Sequence, residues 1–243
     1  MGIIKSIIRE LFIYLHIDLT KNIQYDRLTQ QIIKKELKSN YNCVDIGCHK
    51  GEILDLMLKH SRDGHHYAFE PIPYLFYTLK KKYEHKASVF PYALSDQEGT
   101  SSFQLVKNAP AYSGLKKRHY DTANPDIEEI TVEIKTLDSI MPEAEPIHFI
   151  KIDVEGGEFG VLKGAKNLLK KNKPLILFEC GKGASDYYGT HPGDLYTFIA
   201  DEIGLKVYTL DSYLKNKNAL DKTTFEHYFE TNKEYYFIAA NRE

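Results

Sequence analysis

Tyr41-Asn42-Cys43-Val44-Asp45-Ile46-Gly47-Cys48-His49-Lys50-Gly51 is the stretch that decides how the rest of the chain is read. It runs from an apolar, β-favouring segment into Asp45 and then into two glycines, Gly47 and Gly51. Glycine at such points lets the backbone turn tightly or come close to a ligand. Ile53, Leu54, Met57 and Leu58 follow at helical spacing. A buried strand, a glycine loop and a helix at the carboxyl end of a parallel sheet make a cofactor-binding layout. The spacing fits neither G-x-G-x-x-G nor the phosphate loop G-x-x-x-x-G-K-[ST].

The same unit recurs along the chain. His65 to Glu70 forms a short strand that Pro71 stops, leaving Glu70 at its mouth about 20 residues past the glycine loop, where an acid can accept two hydrogen bonds from a ribose diol. Pro73 to Tyr83 reads as a helix, with Lys80, Lys81 and Lys82 at its wet end. Ala87 to Leu94 reads as the next strand. Ser95-Asp96 directly behind it suits an adenine amine, or a plain turn. Ile147 to Ile152 ends in Asp153-Val154-Glu155-Gly156-Gly157-Glu158. Carboxylates gathered at one strand mouth raise one another's pKa and are kept where chemistry or a cation uses them. Glu158 also suits the cap of the helix Phe159 to Lys170. Pro174 to Phe178 ends in Glu179-Cys180-Gly181, the neighbouring mouth.

Between these units lies an excursion. Thr100 to Leu105 and Ile130 to Lys135 are expected to pair antiparallel around a polar connection with Lys116, Lys117 and Arg118. Long connections of this kind often cover a site. Further on, Lys182 to Gly193 is a glycine-rich loop carrying His191, and Asp194 is expected to cap a helix over Leu195 to Glu202. A sixth strand spans Lys206 to Leu210, Tyr213 to Tyr228 is irregular or partly helical, and Glu234 to Ala240 supplies the last strand.

At the other end, Met1 to His16 and Asp18 to Lys38 both show helical apolar spacing. They form a helical extension over residues 1–38, ahead of a core domain over 39–243. The first helix is expected to pack on its own domain or on a second subunit; contact with a membrane surface is the alternative.

Composition sets the outer limits. The 243 residues carry a formal charge of -2, which argues against generic nucleic-acid binding. The length suits one α/β domain with a sizeable core. Cys43, Cys48 and Cys180 lack C-x-x-C spacing and read as buried thiols of a reducing, cytoplasmic setting. No apolar run approaches a membrane span.

Taken together, V-D-I-G-x-x-x-G, F-E-P, A-L-S-D, I-K-I-D-V-E-G-x-E with V-L-K-G-A, and F-E-C-G resemble the FkbM family of S-adenosylmethionine-dependent methyltransferases, over roughly Tyr25 to Ala240. The most specific element is Ile150 to Ala165. The resemblance implies a doubly wound, Rossmann-like α/β fold with a seven-stranded, mostly parallel sheet of order 3-2-1-4-5-7-6 and an antiparallel last strand. It implies that Asp45, Gly47 and Gly51 hold the methionine part of the cofactor, that Glu70 beside Pro71 holds the ribose, and that Ser95 and Asp96 lie on the adenine side. It also implies O-methylation of a sugar, glycan or small natural product. Cys48-His49-Lys50 departs from the small residues more usual in that loop, and His49 faces either substrate or solvent.

An alcohol must lose a proton on methylation, so a carboxylate or imidazole at hand helps. Asp153 is the first candidate base, since it ends a strand beside the cofactor strand and also adjoins the cofactor. Glu155, Glu179 and His191 come next. Asp153 and Glu179 holding a divalent ion is a further reading. The rivals are a non-catalytic binding or assembly protein, a nicotinamide oxidoreductase and a nucleic-acid methyltransferase. Donor binding, absorbance with reduced nicotinamide and salt-dependent polynucleotide binding separate them.

Overall fold

The computed structural model describes residues 20–120 and 124–242. The expected helix over Met1 to His16 lies outside these residues.

The chain opens with α1 (Lys21–Glu36), started by Thr20, whose hydroxyl accepts from the Ile23 amide. Tyr25, Leu28, Ile32 and Ile33 fall on one stripe and are buried. Then come β1 (Cys43–Ile46), α2 (Glu52–His60), β2 (His66–Phe69), α3 (Pro73–Lys82) and β3 (Ser88–Phe90). An inserted segment supplies β4 (Tyr92–Leu94), β5 (Gly99–Val106) and β6 (Ile127–Lys135). The core resumes with α4 (Leu137–Ile140), β7 (Phe149–Ile152), α5 (Glu158–Gly164), α6 (Lys166–Asn172) and β8 (Leu175–Glu179). It finishes with α7 (Pro192–Thr197), β9 (Lys206–Thr209), α8 (Leu210–Leu214), α9 (Lys222–Thr231) and β10 (Tyr236–Ala240).

The main sheet has the order β3-β2-β1-β7-β8-β10-β9. Leaving out β4, β5 and β6, this is 3-2-1-4-5-7-6, with β10 antiparallel to both its neighbours. The α/β fold implied by the resemblance is therefore the fold found. Side chains alternate across the sheet. Val44, Ile46, Ile150, Ile152, Ile176 and Phe178 enter one apolar layer with α5, α6 and α7. Cys43, Ala68, Phe149, Leu177 and Ile238 enter the other with α1, α2 and α8.

Several expected elements differ in detail. Ala87 to Leu94 is two strands, not one. Pro91 between them has no amide hydrogen to donate, so the chain leaves the main sheet after Phe90 and joins β6 from Tyr92 on. The expected pairing of the inserted strands holds, from Gly99↔Ile134 to Val106↔Ile127. Phe159 to Lys170 is split at Ala165, because the Asp138 carboxylate takes the Asn167 and Leu168 amides at 2.9 and 2.8 Å and starts a second helix. Asp194 is not the cap of its helix. The helix starts two residues earlier, at Pro192 behind His191, and widens into a π-turn over Phe198–Ile203. Asp221 caps α9, accepting from the Thr224 amide at 2.7 Å, so the stretch expected as irregular or partly helical is helical to Leu214 and again from Lys222.

Candidate active site

The site is assembled at the carboxyl ends of β1, β2, β7 and β8, and a pairing in the sheet organises it. Asp45 and Lys151 stand opposite each other in the β1–β7 register and so point to the same face. The Lys151 ammonium lies 3.5 Å from Asp45 Oδ1 and 3.7 Å from Asp153 Oδ2, and donates to the Gly47 carbonyl at 2.8 Å. Both carboxylate partners raise the Lys151 pKa, outweighing the burial that would lower it. Asp45 is fully buried, and neither of its oxygens has a side-chain or backbone hydrogen bond among the described residues. Burial pushes its pKa up, while Lys151 pulls against it.

The glycine loop is built for close approach. Gly47 has φ of 74°, and a Cβ there would stand 1.9 Å from the Asp153 carbonyl oxygen. Gly51 has φ of 82°, and its Cβ would strike the Tyr83 hydroxyl, which instead donates to the Gly51 carbonyl and to Asp55, each at 2.8 Å. Glu70 closes the other side. Its Oε2 accepts from the His49 amide at 2.8 Å and its Oε1 from the Ile72 amide at 2.9 Å. Burial dominates and lifts its pKa to about 7.

Gly47, His49, Glu70, Pro71, Asp153 and Glu155 line a cleft. Tyr92, Ala93, Leu94 and Phe103 give it an apolar wall, and the segment from Pro110 to Leu115 closes it from above. His49 therefore belongs to the cleft and not to open solvent. Its Nε2 is buried without a hydrogen-bond partner, and burial lowers its pKa.

Behind Asp153 the acids continue. Asp153 Oδ2 accepts from the Tyr236 hydroxyl at 2.5 Å. Ligand atoms of Asp153, Glu158 and Glu179 all lie within 4.8 Å of one another. Glu158 Oε1 accepts from the Val154 and Gly156 amides, while its Oε2 is unpartnered. Burial raises Glu158 to about 7. Burial and the neighbouring Asp153 raise Glu179 well above the ordinary carboxylate range. Glu155, in a left-handed backbone conformation, pairs with Arg118 of the β5–β6 connection.

The sequence-predicted residues divide accordingly. Asp45, Gly47, Gly51, Glu70, Pro71, Asp153, Glu155 and Glu179 converge on this end of the sheet. Ser95 and Asp96 line a neighbouring cavity, where Asp96 pairs with Lys163; the cleft wall is made by Tyr92, Ala93 and Leu94 instead. After the turn at Pro91 the chain pairs with β6 and brings Ser95 against Gly160 and Gly164 of α5. His191 is exposed at the start of α7 and lines neither cavity, since Pro192 fixes it as a helix-entry residue. Sequence reasoning does not reach Lys151 or Tyr236 as site residues, and it reaches Arg118 only within a basic cluster that either meets an anionic substrate or is solvated. A lysine breaking an otherwise apolar central strand is the available signal for the first; nothing local marks Tyr236.

The methyltransferase FkbM domain model matches residues 45–202. The chain belongs to the FkbM family of methyltransferase domains. Among solved structures it is similar to a methyltransferase FkbM from Methylobacillus flagellatus KT, at 14% identity and a TM-score of 0.51. That match covers 84% of this chain and 44% of the other, so the chain spans less than half of that protein's length. A ribosomal RNA methylase from Streptococcus thermophilus aligns at 10% identity and a TM-score of 0.43, covering 88% of this chain and 92% of the other. No curated protein matches the chain.

Proposed function

We propose that this FkbM domain binds S-adenosylmethionine in the cleft between Gly47, Glu70 and Asp153 and transfers its methyl group to a hydroxyl of a sugar, a glycan or a small natural product. The observation that carries this is the convergence of the glycine loop, the Glu70 carboxylate and Asp153 on one cleft. The residues suit such a donor. Each Glu70 oxygen accepts only one backbone amide, which leaves lone pairs for a ribose diol. The buried His49 Nε2 lacks a partner within reach of the same space.

A bound sulfonium supplies an already activated methyl carbon, so the chain's task is to align the acceptor, exclude water and take up one proton. Asp153 Oδ2 is engaged by Tyr236 and Lys151, which leaves Oδ1 to receive the hydroxyl proton. Glu179 lies within 4.8 Å of Asp153 and supports it from behind, and Glu155 fixes the covering segment through Arg118. Reading Asp153, Glu158 and Glu179 as a divalent-ion site is less favoured, because Lys151 and Tyr236 already serve Asp153. The charge of -2 supports a small hydroxylated acceptor over a polynucleotide. No described helix is long and apolar enough to cross a membrane. The three unpaired, buried cysteines suit the reducing cytoplasm.

Calorimetry with S-adenosylhomocysteine, followed by labelled-methyl transfer to hydroxylated glycans and metabolites read by mass, tests this reading. Binding is expected in the micromolar range, and Asp153→Asn is expected to keep it while lowering transfer by about 100-fold. Absence of binding at high micromolar ligand would overturn the assignment.

A further inference from the structure

A second cavity, of about 530 Å³, adjoins the cleft and shares Leu115 and Gly157 with it. Its character is different. Ser95, Ser101, Ser102, Gln104, Tyr188 and Thr190 bring hydroxyls and an amide to its wall, and Phe159 adds an aromatic face. Three lysines line it as well. Lys163 is neutralised by Asp96. Lys116 and Lys117 are exposed and have no ion-pair partner among the described residues, although Lys107, Lys135 and Lys166 nearby are all paired. Of the acids there, Asp96 lines the cavity and is paired with Lys163, while Glu129, hydrogen-bonded by the Gln104 amide, is not among the lining residues. The lining itself therefore carries a positive excess, from Lys116 and Lys117, over a hydroxyl-rich floor.

The backbone that carries the two lysines is anchored. The Lys116 amide donates to the Tyr188 hydroxyl at 3.1 Å, tying the segment to the loop after β8. Gly114 lies against the same hydroxyl, where a Cβ would sit at 3.0 Å. Two residues on, Arg118 is bound to Glu155 at the cleft itself. One short segment thus spans both spaces, with Lys116 and Lys117 between two anchored points.

We infer that this cavity is the acceptor subsite, and that the acceptor is a polyhydroxylated molecule bearing an anionic group, a phosphate or a carboxylate, which Lys116 and Lys117 hold while a hydroxyl is presented at the cleft. This rests on the methyl-transfer reading above and adds the class of acceptor. Opposite charge at a defined distance from the reacting hydroxyl selects which molecule enters and which hydroxyl it offers.

The test is binding of glucose, glucose 6-phosphate and glucuronate to the full chain, by saturation-transfer NMR and calorimetry, with and without S-adenosylhomocysteine. At least one anionic sugar is expected to bind about ten times more tightly than glucose. A preference for the phosphate or for the carboxylate identifies the group. Lys116→Glu with Lys117→Glu should abolish the preference and leave S-adenosylhomocysteine affinity unchanged. Equal binding of all three sugars, binding of none, or a preference that survives the double substitution overturns the inference. If S-adenosylhomocysteine binds in those cases, the methyl-transfer reading stands without it; if it does not bind, that reading fails on its own account.

Discussion

Glu70 shows how one buried side chain can set the response of a site to pH. Its pKa of about 7 means that below neutrality it holds a proton, and an acid that holds a proton is a poorer acceptor for a ribose diol. If the donor binds at Glu70 as proposed, it takes the ionised form, so binding releases a proton and affinity rises as pH increases through about 7. S-adenosylhomocysteine titrated by calorimetry between about pH 6 and 8 should tighten with pH, and Glu70→Gln should flatten the curve. Lys151 makes a second case. Removing one member of a buried pair leaves the other charge uncompensated, at a cost of about 3–5 kcal/mol. Lys151→Met should cost about that much in urea unfolding, and adding Asp45→Asn should recover part of it, because it removes the fully buried charge that has no other partner, while Asp153 keeps the Tyr236 hydroxyl. A fully additive double substitution would show that the two side chains act independently.

At the scale of elements, the β5–β6 insertion forms its own three-stranded sheet and is tied to the acids of the core site by an arginine side chain. Arg118 is largely buried, pairs with Glu155, and stacks its guanidinium 5.3 Å from the centre of the Tyr112 ring. Arg118→Ala should therefore loosen the connection between β5 and β6. Limited proteolysis followed by mass spectrometry should show cleavage between residues 107 and 126 at least several-fold faster than in the parent chain, with the main sheet intact. Cleavage at an unchanged rate would mean that the segment is held by other contacts. This is also the scale at which the sequence is most and least informative. The strand mouths at Asp45, Glu70, Asp153 and Glu179 are legible because apolar runs stop abruptly at an acid, and the sheet order follows from the family pattern. Arg118 is not legible. It sits in a polar segment where three basic residues look alike, and only the folded path distinguishes the one that turns inward from the two that face the second cavity. The place of Ser95 and Asp96 beside the neighbouring cavity is not legible for a related reason: a proline in mid-strand leaves the hydrophobic pattern intact while redirecting the chain.

Across the molecule, the acid proposed to take the proton depends on a residue 83 positions away. Tyr236 enters the sheet on β10, between β8 and β9, and its hydroxyl reaches Asp153 Oδ2 at 2.5 Å. Tyr25 and Tyr235 pack around it, with ring centres 5.2 and 6.1 Å away, so α1 supports the same point from the other side. Tyr236→Phe should keep the fold and donor affinity while lowering kcat by about tenfold, because it removes the hydroxyl and little else. An unchanged kcat would confine Tyr236 to packing. The position of β10 also bears on synthesis. Domains gather structure from the amino end as the ribosome proceeds, and the parallel strands from β1 to β8 emerge well before β10. Until residue 236 leaves the exit tunnel, a nascent chain has its glycine loop and its acids but lacks the phenol that braces them. Completion of the proton-accepting end thus coincides with the arrival of one of the last strands to be inserted, and a half-made chain is left without it.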